Sequence, residues 1–258
     1  MFSKVDGLLN RCRRGMVAVL GAVVLAVAPA AQADLIGLYE FNGNLNNSIT
    51  GPGALGDLEL APMTDGTRQV VNGRLEWSDI AFEGGLNLKL DGVSSEMTEY
   101  SIGIVFTMMV EESGYNKILD FGNLTDDSGL YKFAGSITAY PYTAFTSNHI
   151  YEGSRVIMVF TRTPESLSIY VEGSPAATDS KGNDLAVSGS NGAIWFFTDD
   201  MGLSEFAKAG FIEEIRIWNT ALSEEEARAA FAHIPEPSAV LLGLGVLLAL
   251  QRWKRRRS

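Results

Sequence analysis

Side chains that could do chemistry are sparse and awkwardly spaced in this chain of 258 residues. Retaining hydrolysis of a glycosidic bond needs two carboxyl groups about 5–5.5 Å apart. On a strand such a pair comes from alternate residues, because alternate residues share a face. The chain offers adjacent acids instead, Glu111-Glu112 and Glu213-Glu214. On a regular strand each of those pairs points to opposite faces. The two histidines, His149 and His233, have no serine-triad or zinc-ligand pattern around them. The expectation is a protein that is not an enzyme.

Binding chemistry is better represented. Calcium takes six to eight oxygen ligands, often loop carboxylates and carbonyls. Paired acids occur at Asp126-Asp127, at Asp179 with Asp184, and at Asp199-Asp200. None has the Asp-x-Asp-x-Asp-Gly spacing of a calcium loop, and Asp-Asp shortly before glycine also simply makes a turn. Asp199 and Asp200 end the apolar run "AIWFFT" and are the residues expected to hold Ca2+ if the chain binds it. Sugars stack on exposed aromatic rings. The stretch "SITAYPYTAFTSN" reads as an aromatic loop, and Tyr140, Tyr142 and Phe145 are its expected ligand-binding residues, with Tyr115 and Tyr151 further candidates. The competing reading places such rings in the core.

These residues must be positioned by strands. Glycine is abundant (27 residues), and short apolar or alternating runs recur between turn signals. "LIGLYEFNGNL" puts Leu35, Gly37, Tyr39 and Phe41 on one face and closes on Asn-Gly. "YSIGIVFTMMV" and "SRVIMVFTR" are apolar on both faces, which suits central strands. "SLSIYVEG" alternates, with Leu167, Ile169 and Val171 inward, and "TPE" joins it to the preceding run as a hairpin. "RLEW", "LNLKLDG", "YNKILDFGN", "AIWFF" and "AGFIEEIRIW" complete the set. The expected fold is all-β: a two-sheet antiparallel jelly-roll sandwich. One helix is expected after it, in "ALSEEEARAAF", with Ser223 as N-cap, Glu226 closing a capping box, and Leu222 as the staple.

Both ends differ from this body. Residues 1–33 hold a basic stretch with the only cysteine, Cys12, then an apolar run and the small-residue exit Ala31-Gln32-Ala33. That is the pattern of a secretory signal peptide cut before Asp34. Ser238–Leu250 is uncharged and apolar, and Arg252, Lys254, Arg255, Arg256 and Arg257 follow it. At about 1.5 Å per residue this run alone falls short of a hydrocarbon core of about 30 Å. With Trp253 at the interface and a thinned bilayer it just spans, basic cluster inside. Residues 34–233 form the expected domain and 234–258 the tail. Between the ends, residues 34–237 carry eleven basic side chains against thirty acidic ones. So acidic a body repels nucleic acid and anionic headgroups. Without cysteines it must rely on burial, not on covalent staples.

Two resemblances follow from these motifs. "LYEFNGNLNNSITG", "LDG" at Leu90–Gly92, "YSIGIVFTM", "SLSIYVEGSPA" and, most specific, "GFIEEIRIWNTALSEEEARAAF" resemble the LamG-like jelly-roll domains of the concanavalin A-like superfamily. Asn42, Asn47 and Glu213 stand where that family often has aspartate, so its calcium ligands do not carry over. Enzymes of laminarinase type that share the sandwich use Glu-x-Asp-x-x-Glu or Glu-x-Asp-x-Glu strands, and neither pattern occurs here. The tail, Pro235-Glu236-Pro237 followed by the apolar run and the arginine cluster, resembles the PEP-CTERM sorting signal of Gram-negative bacteria. This implies export, a stay in the inner membrane, processing by an exosortase-type enzyme, and delivery to the cell surface or extracellular matrix. The combined expectation is a non-catalytic binding module that associates with exopolysaccharide or another surface partner. A glycan-active enzyme with an unrecognised site and a purely structural envelope protein are the alternatives. Replacing Arg252, Lys254, Arg255, Arg256 and Arg257 with uncharged residues should change processing of the tail; unaltered maturation on an immunoblot of cell fractions counts against the sorting assignment.

Overall fold

The computed structural model describes residues 33–61, 67–78, 83–90, 97–109, 114–125, 129–140, 144–145, 150–179, 192–198 and 209–234. Among the described residues fifteen strands and one helix follow one another. They are β1 (Leu35–Tyr39), β2 (Glu59–Leu60), β3 (Arg68–Val71), β4 (Arg74–Trp77), β5 (Glu83–Lys89), β6 (Tyr100–Met108), β7 (Tyr115–Asp120) and β8 (Gly129–Phe133). Then come β9 (Ser136–Tyr140), β10 (Ala144–Phe145), β11 (Arg155–Arg162), β12 (Leu167–Val171), β13 (Ser174–Asp179), β14 (Ala193–Thr198), β15 (Gly210–Trp218) and α1 (Glu224–Ala229). One sheet runs β13-β12-β11-β6-β15-β4-β3, with β1 also on β15; the other runs β10-β9-β8-β7-β14-β5-β2. Neighbouring strands are antiparallel, as expected of the sandwich.

The core lies between the two sheets. Leu86, Leu88, Ile118, Leu130 and Phe196 from the seven-stranded sheet meet Ile102, Ile104, Phe106, Met158, Phe160 and Ile215 from the eight-stranded one. The expected alternation in β12 is observed: Leu167, Ile169 and Val171 are buried, and Ser168 and Tyr170 are half-buried on the other face. Strands β6 and β11 are central neighbours, as their two-sided apolar character requires. Their outer residues Val105 and Val159 form a second, smaller core with Trp218, Leu222, Ala227 and Phe231. The helix is the cause. It starts at the expected capping box, where the Ser223 hydroxyl accepts from the Glu226 N–H at 3.3 Å and the Glu226 carboxylate accepts from the Ser223 N–H at 2.8 Å. The Ser223 hydroxyl also donates to that carboxylate at 2.6 Å, and this bond, followed by the one from the Ser223 N–H, holds the Glu226 carboxyl below the usual carboxylate range. The following turn drops Phe231 onto Gly103, where a Cβ would lie 2.6 Å from the ring. Any larger residue at 103 would lift Phe231 off the sheet.

Among the described residues five strand pairings carry register shifts that were not expected, those within β1, β14 and β15 among them. A register shift between Leu35 and Gly37 in β1 sends Leu35 to the outer cluster, while Tyr39 and Phe41 stay in the core. A shift between Phe196 and Thr198 lets two consecutive rings, Phe196 and Phe197, both enter the core, with Phe197 at φ +52°. A shift between Ile212 and Glu214 makes Glu213 the extra residue of a bulge. The adjacent Glu213-Glu214 pair therefore does not split between opposite faces. Glu213 takes a two-pronged bond from Arg155, at 3.0 and 2.9 Å, on the outer face. Glu214, also outward, pairs with Arg216 and with His233 at 3.1 Å. Arg216 in turn donates to the Ala230 carbonyl at 2.7 Å, pinning the end of the helical segment. Both acids thus brace the domain. Among the described residues no helix is long and apolar enough to cross a membrane; residues 235–258, with Pro235, Glu236, Pro237 and the basic cluster, lie outside them, as does the signal-like segment before Ala33.

Asn47 explains one departure from the family pattern. Its amide donates to the carbonyls of Ile36 at 3.0 Å and Leu55 at 2.8 Å, and accepts from the N–H groups of Leu38 at 2.9 Å and Ile49 at 3.0 Å. It stitches the loop after β1 to that strand. An aspartate has no N–H to donate. Nearby, burial pushes the Tyr39 phenol well above its ordinary range, with Asp57 adding to the effect. It stays protonated and donates to the Gly56 carbonyl at 2.7 Å. Asn47→Asp should cost about 2–3 kcal/mol through two lost donors and two stranded carbonyls; an unchanged midpoint in urea unfolding would contradict this role.

Candidate functional site

Strand register brings together a row of residues far apart in sequence. Across the seven-stranded sheet, Tyr140 is opposite Gly129, Gly129 opposite Asp120, Asp120 opposite Trp195, Trp195 opposite Asn87, and Asn87 opposite Glu59. The neighbouring row is Ala139, Leu130, Leu119, Phe196 and Leu86, all of them fully buried and part of the core. Since successive residues alternate, the first row faces away from the core. It carries an aromatic ring on β9 and another on β14, with a carboxylate between them. At about 4.8 Å per strand the backbone positions of the two aromatic residues are about 14 Å apart.

The carboxylate is held firmly. Asp120 is wholly buried; one oxygen accepts from the Lys117 ammonium at 3.1 Å and the other from the Leu124 N–H at 3.0 Å. Lys117, equally buried, lies 4.4 Å from the centre of the Tyr131 ring, a cation–π contact. Tyr131 meets Tyr115 and Tyr140 edge to face, and Tyr115 stacks on Phe133 at 4.2 Å. This aromatic group and the ion pair form one polar-aromatic layer. Beside it, the loop after β7 carries Asn123 and Leu124 at φ +54° and +58°, and the Asn123 amide oxygen accepts from the Trp195 indole N–H at 3.2 Å. That bond fixes the orientation of the half-buried indole. Gly129 admits the row because its φ is +156° and a Cβ there would sit 2.1 Å from the Leu119 carbonyl oxygen. At the far end the exposed Glu59 and Lys89 pair at 2.7 Å. Asn87 is 6% exposed, and its amide oxygen has no hydrogen-bond partner.

Of the residues expected from sequence to bind a ligand, Tyr140 ends β9 at the head of this row and is 41% exposed. Phe145 lies in β10, opposite Thr138 in the register. Tyr142 lies outside the described residues, as do Asp199 and Asp200, which follow β14. The stretch read as an aromatic loop contains two strands, β9 and β10, because Ser136 to Tyr140 completes a hairpin with β8. Tyr115 is half-buried in the aromatic layer, and Tyr151 is exposed elsewhere. Lys117, Asp120, Tyr131, Trp195 and Asn87 escaped sequence reasoning. Only the alternation of leucine with polar residues in "LNLKL" hinted at an outward polar face.

The comparisons with known proteins agree with this architecture. A family model described as the concanavalin A-like lectin/glucanases superfamily matches residues 93–228. The chain belongs to this superfamily. A search of curated proteins finds no match. Among solved structures, this superfamily member is similar to domain 4 of AbnA, a GH43 extracellular arabinanase from Geobacillus stearothermophilus in complex with arabinotriose. That match has 18% identity and a TM-score of 0.56, over 76% of this chain and 98% of that one. It is also similar to the botulinum neurotoxin serotype G binding domain, with 13% identity and a TM-score of 0.54, over 77% of this chain and 50% of that one. A Trypanosoma rangeli sialidase in complex with sialic acid matches at 14% identity and a TM-score of 0.52, over 75% of this chain and 32% of that one. The chain thus spans half of the neurotoxin domain and a third of the sialidase. At these identities the likeness is one of fold, which serves binding domains and glycosidases alike.

The Lys117–Asp120 pair should behave as a buried ion pair. Lys117→Met alone should cost about 3–5 kcal/mol, because it strands a buried carboxylate. Adding Asp120→Asn should recover most of that, since the amide still accepts from Leu124 without a charge. Thermal unfolding of the two variants decides; equal losses would show that the charge is not the issue.

Proposed function

We propose that this protein is a non-catalytic carbohydrate-binding module, exported and displayed at the bacterial surface, that holds a glycan along the Tyr140–Glu59 row. The observation that carries the reading is the pair of aromatic residues, Tyr140 and Trp195, whose strand positions lie about 14 Å apart on one outward row. Residues so spaced suit an extended oligosaccharide, whose C–H faces stack on the rings while its hydroxyls meet Asn87 and Glu59 further along the row. Its fold relatives in complex with arabinotriose and with sialic acid are in keeping with this.

The row's two acids favour binding over hydrolysis. Asp120 and Glu59 stand three strand spacings apart, about 14 Å, beyond the 5–5.5 Å or 6.5–9.5 Å that the retaining and inverting mechanisms need. Asp120 also has both oxygens engaged, one by a buried cation. Display rests on the two terminal segments: a signal peptide that exports the body, and a tail that stops in the inner membrane until an exosortase-type enzyme processes it near Pro235-Glu236-Pro237. The partner outside the cell is then a polysaccharide of the matrix.

A glycan array, followed by calorimetric titration of the hits, tests the reading on the full chain. Trp195→Ala and Tyr140→Ala should each weaken binding about tenfold, the loss of one stacking contact. Absence of any glycan hit, or a double variant that binds like the parent, rejects it; a released reducing end would move the protein to the enzymes.

A further inference from the structure

The row has a chemical bias that its aromatic rings do not. Asn87 is nearly buried, flanks Trp195 in the register, and its amide oxygen is unpartnered. A buried carbonyl without a partner is costly, and natural proteins rarely keep one without a use. An amide oxygen only accepts, so the group that completes it must donate: a hydroxyl does, an ionised carboxylate does not. The cations of this face are committed as well. Lys117 is bound to Asp120, and Lys89 to Glu59, which lies next to Asn87 in the register. An acidic sugar entering here would lose water, meet an acceptor at Asn87 and find each of these ammonium groups already matched by a carboxylate. The excess of acidic over basic residues in the body repels it further.

We infer that the row selects uncharged glycan chains, that Asn87 reads one of their hydroxyls, and that the Glu59 carboxylate excludes acidic sugars by its own charge on the row. This rests on the sugar-binding reading above and adds a specificity to it. The Glu59–Lys89 pair is exposed, each side chain 52% accessible, so breaking it should leave the fold intact. That makes Glu59 the informative position, and Asn87 the position that tests the hydroxyl.

Paired probes separate the outcomes: uronate-containing polysaccharide fragments and the same fragments after carboxyl reduction, which differ only in COO⁻ against CH2OH. With the full chain at low salt, the reduced forms should bind at least tenfold more tightly than their acidic parents. Glu59→Gln should raise affinity for the acidic parents severalfold and barely alter that for the reduced forms. Asn87→Leu, which keeps the shape but removes the acceptor, should lose about tenfold on the reduced forms, its melting checked. If the acidic parents bind as tightly as the reduced forms, or Glu59→Gln leaves their ratio unchanged, the selectivity is wrong while sugar binding stands. If no glycan binds at all, the sugar-binding reading falls and this inference with it.

Discussion

Pairing between β6 and β15 is the contact on which the rest of the structure depends. The two strands run side by side over nearly their whole length, from Gly210 opposite Met108 to Trp218 opposite Ser101. On its other edge β15 also carries β4 and β1, so one strand ties the first and last parts of the chain to the middle. Its inward residues Ile212, Ile215 and Ile217 are fully buried. A two-layer fold without disulfides has only such burial to set against chain entropy. The bulge at Glu213 sits in this strand, and the Glu214, Arg216 and His233 network that anchors the helical segment grows from it.

The two sheets solve the problem of an outer face in opposite ways. The eight-stranded sheet is apolar outside around Val105 and Val159, and it covers that patch with α1 and Phe231. A single glycine, Gly103, decides how closely the ring approaches. The seven-stranded sheet instead lines its outer face with a tyrosine layer, a buried ion pair and the Trp195–Asn123 bond. A buried ion pair is weak evidence for stability, because desolvation offsets much of the attraction. One outer face is closed by an apolar helix, the other by a polar-aromatic layer in which Lys117, Asp120 and Tyr131 are buried.

Much of the fold was legible in particular residues. The closing segment announced both its strand and the helix after it, since Ser223 and Glu226 satisfy each other locally and need no distant partner. The two-sided apolar character of β6 and β11 marked them as central. Bulges were not legible. Nothing in "FIEEIRIW" says that Glu213 is the extra residue, because a bulge is a mismatch between two strands and the partner is a hundred residues away. The same holds for Phe197, which strict alternation places outside and the structure buries. The apparent aromatic loop at Tyr140 was misread because its strand partner, β8, has a short and unremarkable pattern.

By itself the sequence determined what is local or periodic: the sandwich class, the capped helix, the acidic body and the character of its two ends. It also showed that Asn47 and Glu213 depart from the family pattern, without showing why. The tertiary structure decided what is transverse. The row from Tyr140 to Glu59 draws on six strands whose residues range from position 59 to position 195. Side-chain alternation is a property of one strand, but membership of a row depends on register between strands. Register is set by the packing of the whole core, and no short stretch of residues contains it.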